Sequence, residues 1–154
     1  YVTDKYASLG RTFDQVWLIM ACSPLLEASD FVAAAGTFDE STREKALLAI
    51  SEYPAPIEWA FTMDSKTNEL VPVQPGMFSI RSQDIEKKYF DAGSFAIFPS
   101  SLVEQSQGAG TDDSFIGYKL PRNKAVDIDT LQDWTIAEAL FLVNRKTDET
   151  KEIV

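Results

Sequence analysis

Short apolar stretches recur along the chain and are separated by polar segments that contain glycine or proline. The clearest lies within residues 13–21, where residues 16–21 form an unbroken apolar run. Such a run is typical of a strand buried on both faces of a parallel sheet. Further strands are predicted at 92–99 and 115–120, and a hairpin is predicted from 59–63 and 70–73 around a polar loop. By propensity alone, residues 45–51 suit either a helix or a strand, and the turn residues at 53–56 favour a strand.

Helix signals occupy segments between these strands. Residues 1–9 have the pattern of a helix end, with Gly10 as its stop. Ser29 is the predicted N-cap of a helix that continues to Phe38 along an apolar side. A short helix is expected at 100–104, followed by a loop at 105–114.

Composition narrows the function classes. The 154 residues have the size of one domain, 1–154, and 24 acidic against 14 basic residues give a net charge of −10. That charge argues against nucleic acid as a partner. No apolar run approaches the length of a membrane span, so no membrane partner is expected. The single cysteine, Cys22, forms no internal disulfide and fits a cytoplasmic location.

Asp127 and Asp129 are the main candidates for chemistry. If residues 126–129 are extended, the two carboxylates point to one side and Ile128 to the other. The chain has no histidine, so a metal site has to use oxygen ligands, which favours Mg²⁺ or Mn²⁺. Thr130 is the predicted N-cap of the following helix, with Asp133 in a capping-box position. An acidic pair before a helix is also typical of a helix cap beside a solvated acid.

The string Asp-Ile-Asp-Thr-x-x-Asp-Trp-x-x-Ala-Glu, beginning at Asp127, resembles the C-terminal signature of the CMP-sugar synthetases, the cytidylyltransferases that activate sialic acid and its relatives. The resemblance implies an α/β fold with a mostly parallel, Rossmann-like sheet and a small β extension. It also implies that Asp127 and Asp129 are catalytic and hold the metal ion. The partners it implies are CTP, an acidic sugar and a second subunit in a homodimer.

Other residues enter as site candidates through the same resemblance. Ser23, in Cys22-Ser23-Pro24, corresponds to a turn beside the bound nucleotide and sugar. Arg81, Gln83 and Asp84 resemble the sugar loop of the branch that activates pseudaminic acid, and the planar guanidinium of Arg81 suits a sugar carboxylate. Sialic-acid members often carry Gln and Asn where this chain has Met20 and Ala92.

Two features leave alternatives open. The basic turn Arg122-Asn123-Lys124 suits either contact with phosphates or charge compensation of nearby acids. The family's Gly-rich basic loop, which cradles the CTP triphosphate, has no match in the 154 residues, and Gly108-Ala109-Gly110 lacks the context of a phosphate loop. The chain thus resembles the C-terminal two-thirds of a member, with an incomplete N-terminus expected.

The leading hypothesis is a cytidylyltransferase that couples CTP to a nine-carbon 2-keto acid sugar of the pseudaminic or sialic acid type and releases pyrophosphate. These residues alone are expected to be inactive. One alternative is a non-catalytic remnant of the fold that acts in dimerisation or sugar binding. Another is a related nucleotidyltransferase with a different sugar.

Overall fold

A computed structural model describes residues 1–105 and 115–151, and for residues 146–151 it describes the backbone alone. The described chain contains four α-helices and six strands. The helices are α1 (Val2–Ser8), α2 (Ala28–Asp39), α3 (Ser100–Gln105) and α4 (Leu131–Lys151). The strands are β1 (Gln15–Ile19), β2 (Ala46–Glu52), β3 (Phe61–Met63), β4 (Leu70–Pro72), β5 (Tyr89–Pro99) and β6 (Phe115–Lys119). The predicted loop at 105–114 lies, after Gln105, outside the described residues.

The central sheet has the strand order β1-β5-β2-β6. Strand β2 runs parallel to β6, with Ala46 opposite Phe115, and β1 runs antiparallel to β5, with Gln15 opposite Pro99. The α/β class and a central sheet containing parallel strands are therefore confirmed. The chain divides into two compact units: the sheet unit, formed by Tyr1–Ser51 with Asp91–Val154, and an inserted unit, Glu52–Phe90.

The core of the sheet unit lies between α2 and the central strands. Its fully buried members are small or apolar side chains from α2, β2, β5 and the end of β6, namely Ala34, Phe38, Leu47, Ala49, Phe95, Ile97 and Leu120. Phe95 is the centre of an aromatic group, with ring centroids 5.8 Å from Trp17 and 5.2 Å from Phe31. Burial of this apolar surface fixes β5 and the start of α2 against each other.

The inserted unit contains the predicted hairpin. Strands β3 and β4 pair antiparallel, with Thr62 opposite Val71. The indole N–H of Trp59 donates to the Met77 carbonyl at 3.1 Å, and the rings of Phe61 and Phe78 lie 5.8 Å apart. This aromatic contact and the strand pairing hold a unit that has few long apolar runs of its own.

Two predictions about local structure were wrong. Strand β1 is at the edge of the sheet, and Leu18 and Ile19 are 53% and 55% exposed, so it is not buried on both faces. Helix α2 begins after Glu27 rather than Ser29, because the Asp30 carboxylate accepts the Glu27 N–H at 2.9 Å in a capping box. Residues 126–129, whose extended conformation was considered above, belong to no strand.

None of the helices in the described part of the chain is long and apolar enough to cross a membrane.

Candidate active site

Three chain segments of the sheet unit meet beside the N-terminus of α4. They are Cys22-Ser23 after β1, Gly93 in β5, and Asp127-Ile128 before α4. The Ile128 N–H donates to the Cys22 carbonyl at 3.0 Å, and the hydroxyl of Ser23 donates to the Gly93 carbonyl at 3.2 Å. Ser23 is buried, whereas Asp127 is exposed. Ser23 and Asp127, which were predicted separately, are thus brought to one place through Gly93.

The Asp127 carboxylate interacts with the thiol of Cys22. A hydrogen bond to this carboxylate raises the pKa of Cys22 above its ordinary value, because the protonated thiol is the donor, and partial burial acts in the same direction. The negative charges of Asp127 and Asp129 add to the shift. Both carboxylates are therefore close enough to Cys22 for their charges to act on it.

The helix cap predicted after the acidic pair is present. The Asp133 carboxylate accepts the N–H of Thr130 at 2.8 Å and its hydroxyl at 2.7 Å, and the Asp133 N–H donates to the Thr130 hydroxyl at 3.3 Å. These bonds lower the pKa of Asp133. Thr130 and Asp133 thus cap each other, and the carboxylates of Asp127 and Asp129 take no part in this cap.

The donor set fits a hard divalent ion. Asp127 and Asp129 are exposed carboxylates, and Mg²⁺ commonly uses one or two carboxylates while water and phosphate oxygens fill its other positions. Among residues 1–105 and 115–151, no group of three or more Cys, Asp or Glu side chains has the arrangement of a metal site. A complete protein cage of the kind that zinc or calcium uses is therefore not found in this described part.

Lys124, in the basic turn, compensates acids rather than standing free. Its Nζ lies 2.9 Å and 3.1 Å from the two carboxylate oxygens of Asp30 and also contacts Glu27. Burial acts to lower the pKa of Lys124, but the hydrogen bonds to these two acids outweigh it and raise the pKa. The amide of Asn123 donates to the Asn144 side chain at 2.7 Å. The structure thus favours charge compensation for Lys124.

The predicted sugar-binding residues belong to the inserted unit. Arg81, Gln83 and Asp84 lie on one turn, with Ser82–Asp84 forming a single turn of 3₁₀ helix. The Nε of Arg81 donates to Asp84 Oδ2 at 3.0 Å, and both side chains are largely exposed. Asp84 is therefore placed to orient the Arg81 guanidinium.

Gln83 lines a cavity of about 270 Å³ within the inserted unit, together with Tyr53, Pro54, Ser82, Lys87 and Lys88. This volume is just below the range of about 300–1,000 Å³ that is usual for small-molecule sites. The two lysines pair with acidic neighbours, Lys87 with Glu52 and Lys88 with Glu58 and Glu86. Arg81 and Asp84 are not among the lining residues, so only Gln83 of the three candidates borders this cavity.

An apolar stripe along α4 is only partly buried. Ala137 is 5% exposed, whereas Trp134 and Phe141 are 54% and 49% exposed. With Pro24, Leu25 and Ile128 these residues line an apolar groove of about 220 Å³. Ile128, which lies between Asp127 and Asp129 in the sequence, is thus part of the groove lining.

Sequence reasoning missed Gly93 as a neighbour of Asp127. Gly93 has a φ of +60°, and a Cβ built on it would lie 2.7 Å from Asp127 Oδ2. A signal was available, because an isolated glycine inside a strand pattern marks a bulge or a close approach. The partner of that approach lies 34 positions later in the chain, so no local pattern identifies it.

No protein-family profile matches the chain. Two curated proteins do: both are named pseudaminic acid cytidylyltransferase, and they come from two strains of Campylobacter jejuni. Each is 31% identical to this chain over 140 residues, which are 91% of this chain and 59% of the relative. The chain therefore spans about three-fifths of the length of these relatives.

Proposed function

The chain is related to the CMP-sugar synthetases over the C-terminal part of these enzymes, and from this relationship we propose that its full-length gene product is a cytidylyltransferase. The proposed reaction joins the anomeric oxygen of a nine-carbon 2-keto acid sugar to the α-phosphate of CTP and releases pyrophosphate. The sugar is of the pseudaminic acid type. The observation that carries the proposal is the similarity to two pseudaminic acid cytidylyltransferases across 91% of the chain.

The geometry of the candidate active site supports this assignment. Asp127 and Asp129 are exposed, close to Cys22, and take no part in the cap of α4, which Thr130 and Asp133 form between them. We assign them to Mg²⁺, or Mn²⁺, which when bound would neutralise charge on the phosphates of CTP. Ser23, fixed to the Gly93 carbonyl, gives the turn after β1 a defined position beside these carboxylates.

Arg81 is proposed to bind the sugar carboxylate. The side chain of Arg81 is 71% exposed, and its Nε donates to Asp84, so a second side chain orients the planar guanidinium. A guanidinium offers paired N–H donors that match the two oxygens of a carboxylate. Gln83, on the same turn, is proposed to bind sugar hydroxyl or amide groups through its own amide.

The proposed preference for pseudaminic over sialic acid depends mainly on Met20. Met20 follows β1 and is 42% exposed, so its apolar side chain is accessible, whereas Ala92 is 3% exposed. A sugar hydroxyl placed against the apolar side chain of Met20 loses the hydrogen bonds that it makes with water, and each hydroxyl left unpaired weakens binding. A sugar with a deoxy terminus loses fewer of them.

The test is the steady-state release of pyrophosphate by the full-length gene product with CTP, Mg²⁺ and each sugar. We expect kcat/KM to be at least about tenfold higher for pseudaminic acid than for sialic acid, which corresponds to about 1.4 kcal/mol. Met20→Gln should narrow this ratio. A clear preference for sialic acid would reject the substrate assignment, and turnover of neutral sugar phosphates alone would also reject the role of Arg81.

The 154 residues by themselves are predicted not to turn over CTP. They contain no segment of the Gly-rich basic type that cradles a triphosphate, and two carboxylates do not provide binding for a tetra-anionic nucleotide. Pyrophosphate release above a no-protein control from this polypeptide would contradict the prediction. Light scattering on the same sample tests the further proposal of a homodimer.

A further inference from the structure

The backbone of Gly93 is held by two other residues. Its N–H donates to Asp91 Oδ1 at 3.0 Å, and its carbonyl accepts the hydroxyl of buried Ser23 at 3.2 Å. Its φ of +60° lies in the left-handed region, which glycine adopts without strain. The carbonyl of the next residue, Ser94, accepts the N–H of Met20, the residue after β1, at 2.9 Å. The Cα of Gly93 therefore has a position set by bonds in which Asp127 takes no part.

The backbone beside Asp127 is also held, because the Ile128 N–H donates to the Cys22 carbonyl at 3.0 Å. A Cβ on Gly93 would lie 2.7 Å from Asp127 Oδ2 and 3.2 Å from its Cγ, but 3.6 Å from its Cβ, which is an ordinary contact. Only the end of the Asp127 side chain is thus in conflict. Since both backbones are restrained, the carboxylate is the group that has to move.

We propose that Gly93 is a positioning residue for Asp127. Its missing side chain lets the carboxylate lie directly against β5, in the place where it binds the metal ion according to the function proposed above. With a Cβ present, Oδ2 has to retreat by about 0.7 Å to restore an ordinary contact of 3.4 Å. That displacement exceeds the tolerance of about 0.5 Å for a working site. It matters most for Mg²⁺ or Mn²⁺, because Mg²⁺ demands near-ideal ligand geometry.

The matched variants are Gly93→Ala and Gly10→Ala. Gly10 also has positive φ, +73°, but a Cβ there meets nothing within 4 Å. Both variants carry the same type of backbone strain, about 1–2 kcal/mol, so each should lower Tm by about 2–8 °C. Only Gly93→Ala should displace the Asp127 carboxylate. The difference in behaviour between the two variants therefore reports the contact between a Cβ at position 93 and the Asp127 carboxylate.

Two measurements test the proposal. Crystal structures of the wild-type and Gly93→Ala chains show the Asp127 carboxylate directly, and we expect Oδ2 to move by at least about 0.5 Å. Electron paramagnetic resonance of free Mn²⁺ gives metal affinity, which Gly93→Ala should reduce about 10- to 100-fold and Gly10→Ala should leave unchanged. An unmoved carboxylate, or wild-type Mn²⁺ affinity in Gly93→Ala, would overturn the positioning role.

The outcomes separate this inference from the function on which it rests. If wild-type protein binds no Mn²⁺, the proposed metal site fails, and the crystal structures alone decide whether Gly93 positions Asp127. If Gly93→Ala does not fold, the double variant Gly93→Ala/Asp127→Ala decides, because it removes the conflicting atoms. Recovery of folding in the double variant supports the contact, and failure to fold while Gly10→Ala folds overturns it.

Discussion

Replacing Lys124 by methionine should destabilise the protein by removing the cation that compensates a buried acid. The Asp30 carboxylate is 8% exposed, and Lys124 Nζ lies 2.9 Å and 3.1 Å from its two oxygens. The same carboxylate accepts the Glu27 N–H at 2.9 Å and so caps α2. Lys124→Met keeps the length of the aliphatic chain approximately, but leaves Asp30 charged and without its cation.

The expected loss comes mainly from Asp30. Breaking a buried ion pair by removing one partner costs about 3–5 kcal/mol, and we take the lower end because Lys124 is still 16% exposed. The contact with Glu27, which is 52% exposed, contributes less than about 1 kcal/mol. For a chain of this size, a loss of about 3 kcal/mol corresponds to a fall in Tm of about 6–12 °C.

The assay is thermal unfolding followed by circular dichroism at neutral pH. Arg122→Met, in the same turn but at an exposed position, is the control and should change Tm by little. Lys124→Met/Asp30→Asn should recover part of the loss, because the double variant leaves no uncompensated buried charge while Asn retains an oxygen that accepts the Glu27 N–H. A fall in Tm for Lys124→Met no larger than that for Arg122→Met would refute the reasoning.

The pH dependence of this effect has a definite sign. The pKa of Lys124 is raised above its ordinary value of 10.5, so the protonated form is favoured in the folded protein. The stabilisation is fully present below that ordinary value and is lost as the pH rises through the higher pKa of the folded state. The difference in Tm between wild type and Lys124→Met should therefore shrink only in strongly alkaline solution.

The remaining predictions concern other candidate residues. Thr130→Ala should lower the free energy of unfolding in urea by about 1 kcal/mol, because it removes a cap of α4. The pKa of Asp133 is lowered from 3.8, so the stabilisation that its carboxylate adds is present above that pH and is lost as the pH falls through the lower folded-state pKa. The stabilities of Asp133→Asn and wild type should therefore converge in acid. Arg81→Lys should raise KM for the acidic sugar about tenfold with a smaller change in kcat, since a lysine makes no paired contact with a carboxylate, and an unchanged KM would exclude Arg81 as its partner. Asp127→Asn should speed the reaction of the chain's single cysteine, Cys22, with a disulfide reagent near pH 8, because the carboxylate raises the pKa of Cys22; equal rates would contradict that contact.

Elements with a strong local pattern of apolar and turn residues could be predicted from the sequence. The predicted strand at 45–51 differs from β2 by one residue at each end, and the predicted strand at 115–120 differs from β6 by one residue at its end, because apolar runs bounded by turn residues indicate strands well. The start of α2 was misplaced by two residues, since its cap uses Glu27 and Asp30 rather than the hydroxyl of Ser29. Acidic caps are harder to recognise, because most exposed acids have no capping role.

Features that depend on residues far apart in the chain could not be predicted from local sequence patterns. Lys124 and Asp30 are 94 positions apart, so the choice between phosphate contact and charge compensation needed the structure. The exposed edge of β1 was missed for a similar reason, because an apolar run does not show how many strands will cover it. The candidate metal pair itself came from two residues in one short segment together with a family resemblance, and its neighbours Cys22 and Gly93 came from the fold.

The most direct test of the central claim is the rate at which Asp127→Asn and Asp129→Asn forms of the full-length gene product make the CMP-sugar at saturating Mg²⁺. Each change removes an anionic ligand and keeps the side-chain volume. We predict a fall in kcat of about 100-fold or more, which is about 2.7 kcal/mol of transition-state stabilisation, with Tm nearly unchanged. Asp14→Asn, at an exposed position before β1, should retain full activity. Near-normal turnover in both variants would contradict the assignment of Asp127 and Asp129 as metal ligands.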